Sequence, residues 1–189
     1  PPVRFANLSP IKIIKMTNTI NLLTKKQSAE KSYDKRKFLK MEYVRTPVEI
    51  WQQLSVEFDF TVDACASDKN HLLPKYWTKE NSALEQNWDN EIVYCHPMYD
   101  VNIPKFVTKA VSSKCITVFL LPSSTNAKYF HKYFWCNKSH KPRANIQIRF
   151  LEKTDNLNGF KMATDDGVMP ERGYLRPLMI VIVDNREYL

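Results

Sequence analysis

Three short stretches of this chain carry residue types that could bind or react with a ligand. The first, Asp63-Ala64-Cys65-Ala66-Ser67, sets a carboxylate before small residues. A carboxylate can answer a cation, and small side chains let a cofactor approach the backbone. The second, Cys95-His96-Pro97-Met98-Tyr99-Asp100, runs from an imidazole through a proline turn to a tyrosine. A neutral imidazole accepts one hydrogen bond, and an aromatic face can stack on a planar base for about 1–3 kcal/mol. The third, Leu120-Leu121-Pro122-Ser123-Ser124-Thr125, ends in hydroxyls that could meet a phosphate or a cofactor. Each has a plain structural alternative. The aspartate could cap its own turn, the tyrosine could be packed, and the hydroxyls could cap a helix.

The elements that position these stretches follow from periodicity. Thr46-Pro47-Val48-Glu49 reads as a capping box with proline at the first helical position. Ile50, Trp51, Leu54 and Phe58 follow at helical spacing. The period then changes to two, and alternation from Phe58 to Ala66 predicts a strand ending near Asp63. Residues 67–90 read as loop, and Ile92–His96 as a short strand. Asn102 is expected to cap a helix with Ile103, Phe106, Val107, Ala110 and Val111 on one face. Cys115–Leu121 is a continuous apolar run, as expected of a central strand covered on both sides. Ser124 or Thr125 is expected to cap a further helix through Phe130, Tyr133 and Phe134. Ile146, Ile148 and Phe150 alternate as a strand, and Leu178–Val183 is the last buried strand. Alternating strands and helices predict an α/β domain whose mostly parallel sheet has helices on both faces. In such sheets ligands bind beyond the carboxyl ends of the strands, where the three stretches lie.

Composition narrows the chemistry. The only glycines are Gly159, Gly167 and Gly173, so there is no Gly-rich phosphate loop and no dinucleotide fingerprint. The four cysteines form no Cys-x-x-Cys pair and are expected to be reduced, mostly buried thiols. Adjacent Cys95 and His96 would face opposite ways in a strand, so no metal site is expected. No apolar run approaches membrane-spanning length, and no export signal is visible. The basic N-terminal region is Lys-rich rather than Arg-rich, which counts against a mitochondrial presequence. An intracellular location is expected. Met16 is the first methionine, and residues 1–15 read either as an extension or as a processing remnant.

The net charge of +8 is uneven. Residues 1–45 hold 11 Lys/Arg against 3 Asp/Glu, and residues 46–189 hold 17 of each. The expected organisation is therefore a basic arm over 1–42, extended or partly disordered, before a folded domain over 43–189. A basic arm suits a polyanion such as nucleic acid, with Lys25, Lys26, Lys35, Arg36 and Lys37 as candidate contacts. A solubilising tail is the alternative.

In order and spacing, the segments of the domain resemble the phage-type DNA N6-adenine methyltransferases. The matching stretches begin with Arg45-Thr46-Pro47, Trp51 and Leu54, then Glu57 through Ser67 and Asn70. They continue with Tyr76-Trp77-Thr78, Ser82 through Trp88, Val93 through Tyr99, Phe119 through Pro122, and Ile148-Arg149-Phe150. The resemblance spans roughly 45–185. It implies a Rossmann-like methyltransferase sheet, S-adenosylmethionine as cofactor and DNA as partner. It also implies the cytoplasm or nucleoid of a host cell, and is compatible with a virus-encoded origin. It assigns Thr46, Pro47, Asp63, Ala64, Cys65 and Ala66 to the cofactor site.

The family's signature is Asn/Asp-Pro-Pro-Tyr. Its first residue and a proline carbonyl accept hydrogen bonds from the adenine amino group, and its aromatic residue stacks on a flipped base. The aligned residues here are His96, Pro97, Met98 and Tyr99, the expected catalytic set. Histidine replaces the amide or carboxylate, methionine replaces the second proline, and Asn87 stands where the family usually has an acid. Only 33 positions separate Asp63 from His96, compact for a methyltransferase core. Three readings stay open: an active adenine methyltransferase, a catalytically inactive fold kept for binding nucleic acid or a protein partner, and a methyltransferase for another base or RNA.

Overall fold

The computed structural model describes residues 44–152, 162–164, 167, 174 and 176–188. The chain divides into two units, Pro1–Met41 and Glu42–Leu189, and every described residue belongs to the second. The basic arm, with Lys25, Lys26, Lys35, Arg36 and Lys37, lies outside the described residues.

Five strands form one sheet: β1 (Val62–Asp63), β2 (Ile92–Cys95), β3 (Ile116–Pro122), β6 (Ile146–Phe150) and β7 (Leu178–Asp184), in the order β1-β2-β3-β7-β6. β1, β2 and β3 pair in parallel, and β7 runs antiparallel between β3 and β6. Four strands therefore point one way and one is reversed. The two longest strands, β3 and β7, sit near the middle. Both are apolar almost throughout because both of their faces are buried. Alternate residues of β3 enter two separate cores. Phe119 and Leu121 pack with Ile103, Val107 and Ala110 of helix α2 (Ile103–Val111). Val118 and Leu120 share the other core with Leu54 of helix α1 (Val48–Glu57). Among the described residues no helix is long and apolar enough to cross a membrane.

Three local expectations change. Helix α1 starts at Val48 with Pro47 as its cap residue, and no side chain caps it. The Thr46 hydroxyl is used elsewhere, so the capping box does not form. The alternating run 58–66 contributes only Val62–Asp63 as strand, extended by backbone bonds from Thr61 to Ile92 and from Ala64 to Tyr94. Phe60 is drawn instead into an aromatic cluster with Trp51, 5.4 Å away, and Tyr94, 5.5 Å away. The helix expected after Ser124 or Thr125 is a single π-helical turn, Phe130–Phe134. Its aromatic residues are weak helix formers, and the chain leaves it directly for a hairpin, β4 (Trp135–Cys136) with β5 (Lys141–Pro142).

The stretch 67–90 holds a short 3-10 turn, Ala83–Glu85, and protects the edge of β1. The Asp63 amide donates to the Lys75 carbonyl at 3.0 Å, its carbonyl accepts from the Trp77 amide at 2.9 Å, and Tyr76 forms a bridge beside it. Trp77 stacks on Trp88 at 5.9 Å, and the buried Trp88 indole donates to the Ala83 carbonyl at 2.8 Å.

Candidate active site at the ends of the parallel strands

Parallel pairing brings Asp63 level with Tyr94, so the turns that follow β1 and β2 emerge side by side. A cleft between them is lined by residues that include Arg45, Thr46, Asp63, Cys65, Tyr94 and His96. Thr46 reaches it from the segment ahead of α1. Tyr94 is fully buried within β2, and a buried tyrosine hydroxyl needs a partner. That partner is the Thr46 hydroxyl, 2.7 Å away.

Thr46 Oγ1 also lies 3.2 Å from His96 Nδ1, and His96 Nε2 lies 3.0 Å from the Tyr99 hydroxyl. Tyr94, Thr46, His96 and Tyr99 thus form one hydrogen-bonded chain, with His96 bonded through both nitrogens. The imidazole is 8% exposed, and burial lowers its pKa from 6.5 to about 4. It is therefore neutral at ordinary pH, able to donate from one nitrogen and accept at the other. Tyr99 packs at a tilt of 53° against both the His96 ring and Tyr174, each with its centroid 5.3 Å away. Pro97 is buried and Met98 is 40% exposed. The turn is held by the Met98 carbonyl, which accepts from the Asp100 amide at 2.8 Å, and by the Asp100 carboxylate, which accepts from Asn102.

Asp63 is almost fully buried, and burial pushes its carboxyl up to about 6. The Leu72 and Cys65 amides donate to it, at 3.1 and 3.3 Å, and oppose that rise. A carboxylate held this way, beside a threonine hydroxyl and a buried aromatic ring, fits a ligand that brings positive charge and polar hydroxyls. Ala64 and Ala66 are buried, and Pro47 is half-buried at the helix start. Cys65 faces the cleft, its sulfur 3.5 Å from that of Cys95. The four cysteines are free thiols. Cys95 and Cys115 are buried, and Cys65 and Cys136 are half-buried.

The arrangement brings together Thr46, Asp63, Cys65, His96 and Tyr99 from the expected set. Ser123, Ser124 and Thr125 take no part in the cleft. Tyr94, Leu72 and Tyr174 were not anticipated. Tyr94 had a signal, a polar tip in an otherwise apolar strand. Tyr174 had none, because its ring contact with Tyr99 joins parts of the chain far apart in sequence. A model of the DNA N-6-adenine-methyltransferase (Dam) family matches residues 35–153. The chain belongs to that family. The match takes in the cleft, the tetrapeptide His96–Tyr99 and the sheet as far as β6, and it extends ahead of the described domain into the basic segment. No curated protein and no solved structure matches the chain.

Proposed function

We propose that this protein transfers a methyl group from S-adenosylmethionine to the N6 amino group of adenine in DNA. The observation that carries the reading is the hydrogen-bonded chain from Thr46 through His96 to Tyr99. It joins the residue expected beside the cofactor to the residue expected against the base. When bound, S-adenosylmethionine supplies an electrophilic methyl group on a positive sulfur. Asp63 answers the cofactor's positive charge, while Thr46, Pro47, Ala64, Cys65 and Ala66 shape the rest of its site. Tyr99 would stack on the flipped adenine, and the Pro97 carbonyl would accept from its amino group and so orient that nitrogen for the transfer. His96 serves as a neutral brace. A charged imidazole would repel the sulfonium, and burial keeps it uncharged. The fold is read as a compact Rossmann-like methyltransferase sheet with one helix on each face. The arm over 1–42, through Lys25, Lys26, Lys35, Arg36 and Lys37, holds the phosphate backbone ahead of the domain over 43–189.

One observation favours a second reading, an inactive methyltransferase fold that binds DNA. Both His96 nitrogens are bonded within the protein, which leaves no acceptor where the family's Asn/Asp stands. The deciding experiment is transfer of labelled methyl groups to unmethylated duplex DNA, with the digested nucleosides identified by mass spectrometry. Label in N6-methyladenine supports the proposal. A silent natural protein beside an active His96→Asn or Met98→Pro variant supports the inactive reading. Label in another base, or in RNA only, would replace the substrate.

A further inference from the structure

The domain is neutral as a whole but divided. Residues 46–100 hold three Lys/Arg against ten Asp/Glu, whereas residues 101–151 hold nine Lys/Arg and no carboxylate. An ordinary solvated surface mixes both signs. The basic residues belong to adjoining elements. Lys105, exposed, and Lys109, half-buried, lie one helical turn apart on α2. Between them, Thr108 donates to the Tyr133 hydroxyl at 3.1 Å, which ties α2 to the π-helical turn. The Lys132 ammonium sits over the Tyr133 ring, 4.7 Å from its centroid. His131 reaches Asn137 in the hairpin turn at 2.8 Å. Lys138, Lys141 and Arg143 lie exposed on and beside that hairpin, and the Arg143 amide bonds back to Phe134 at 2.9 Å. None of these six cations forms an ion pair with a carboxylate among the described residues. Trp135, half-buried, stacks on Phe130 at 6.1 Å and stiffens the base of the hairpin.

We propose that the strip from Lys105 on α2 through Lys132 to the β4–β5 hairpin is a DNA-binding surface of the folded domain that grips the phosphate backbone. The inference rests on the DNA reading above. Uncompensated like charges repel until a polyanion neutralises them, and α2 follows directly on the His96–Tyr99 turn. A duplex held by the strip is therefore held by the element that leads out of the candidate active site.

The test compares the full natural chain with a full-length Lys132→Ala, Lys138→Ala, Lys141→Ala, Arg143→Ala variant. Binding to a labelled duplex is measured between about 50 and 200 mM salt, where each lost phosphate contact lowers the salt slope by about 0.9. The expected result is binding at least about tenfold weaker on any sequence, with a slope smaller by about 2–4. A second measurement needs no variant. DNA should protect Lys132, Lys138 and Lys141 of the natural protein from acetylation and leave Lys79, exposed on the acidic part of the chain, fully reactive. Unchanged affinity and slope with no protection would overturn the surface, whether or not methyl transfer occurs. Silent methyl transfer with a reduced slope and protected lysines would remove the activity and keep the surface.

Discussion

His96 Nε2 lies 3.0 Å from the Tyr99 hydroxyl, so the residue that departs most from the family signature holds the residue that keeps it. If this bond sets the orientation of the stacking ring, the two side chains act as a unit. His96→Ala and Tyr99→Phe should each lower kcat more than they raise KM for DNA. The double variant should lose less than the sum of the singles, with a coupling of about 1 kcal/mol. Strict additivity in a double-mutant cycle on kcat/KM would show that the bond does not matter to the reaction.

Acid should act on cofactor binding through Asp63, not His96. The Asp63 carboxyl is pushed up to about 6, so it takes up a proton as pH falls past that value. His96, lowered to about 4, stays neutral over the same range. The Kd for S-adenosylmethionine should be flat above pH about 7 and rise up to about tenfold per unit below pH about 6. Asp63→Asn should weaken binding and abolish that rise. Calorimetric titration across the range checks both, and a pH-independent Kd would take Asp63 out of the site.

The same two groups have opposite effects on folding stability. The raised Asp63 pKa contributes stability at low pH that is lost as pH climbs from the ordinary 3.8 towards about 6. The lowered His96 pKa contributes stability above 6.5 that is lost as pH drops towards about 4. A His96→Gln variant should therefore show less acid destabilisation between about pH 4 and 6.5 than the natural protein, measured by urea unfolding at stepped pH.

Trp88 is fully buried and stacked on Trp77, and its indole bonds to the 3-10 turn. Trp88→Ala should cost about 3–5 kcal/mol, a large part of a domain's stability. Denaturant unfolding would measure the loss. A change under about 1 kcal/mol would mean that the stretch 67–90 does not fold cooperatively with the sheet.

Thiol labelling should follow the surroundings of each cysteine. Hydrogen bonds from Ser139 hold the Cys136 thiol below its ordinary pKa, and it lies half-buried in the hairpin. Burial pushes the Cys95 thiol well above its own. Cys136 should react first with iodoacetamide, and Cys95 and Cys115 only on unfolding. Early labelling of Cys95 would contradict the packing of β2.

By itself the sequence determined the parts of this protein that depend on local pattern. Mostly apolar runs marked β3 and β7, and the short stretch Ile92–His96 marked β2, since a strand covered on both faces has few polar positions to show. The spacing of Ile103, Val107 and Ala110 marked the buried face of α2. The ordered series of short motifs marked the family. Tertiary structure decided what those patterns leave open. The insertion of a reversed β7 between β3 and β6 depends on pairing between residues far apart in the chain. Thr46 reads as a helix cap in sequence, yet it bonds to Tyr94, 48 residues away, because a buried tyrosine hydroxyl needs a partner more than an exposed helix end does. His96 reads as an acceptor aimed at a substrate, yet both of its nitrogens turn to neighbours within the fold. Hydrogen-bond direction follows from which groups burial leaves without water, and only the assembled chain sets that.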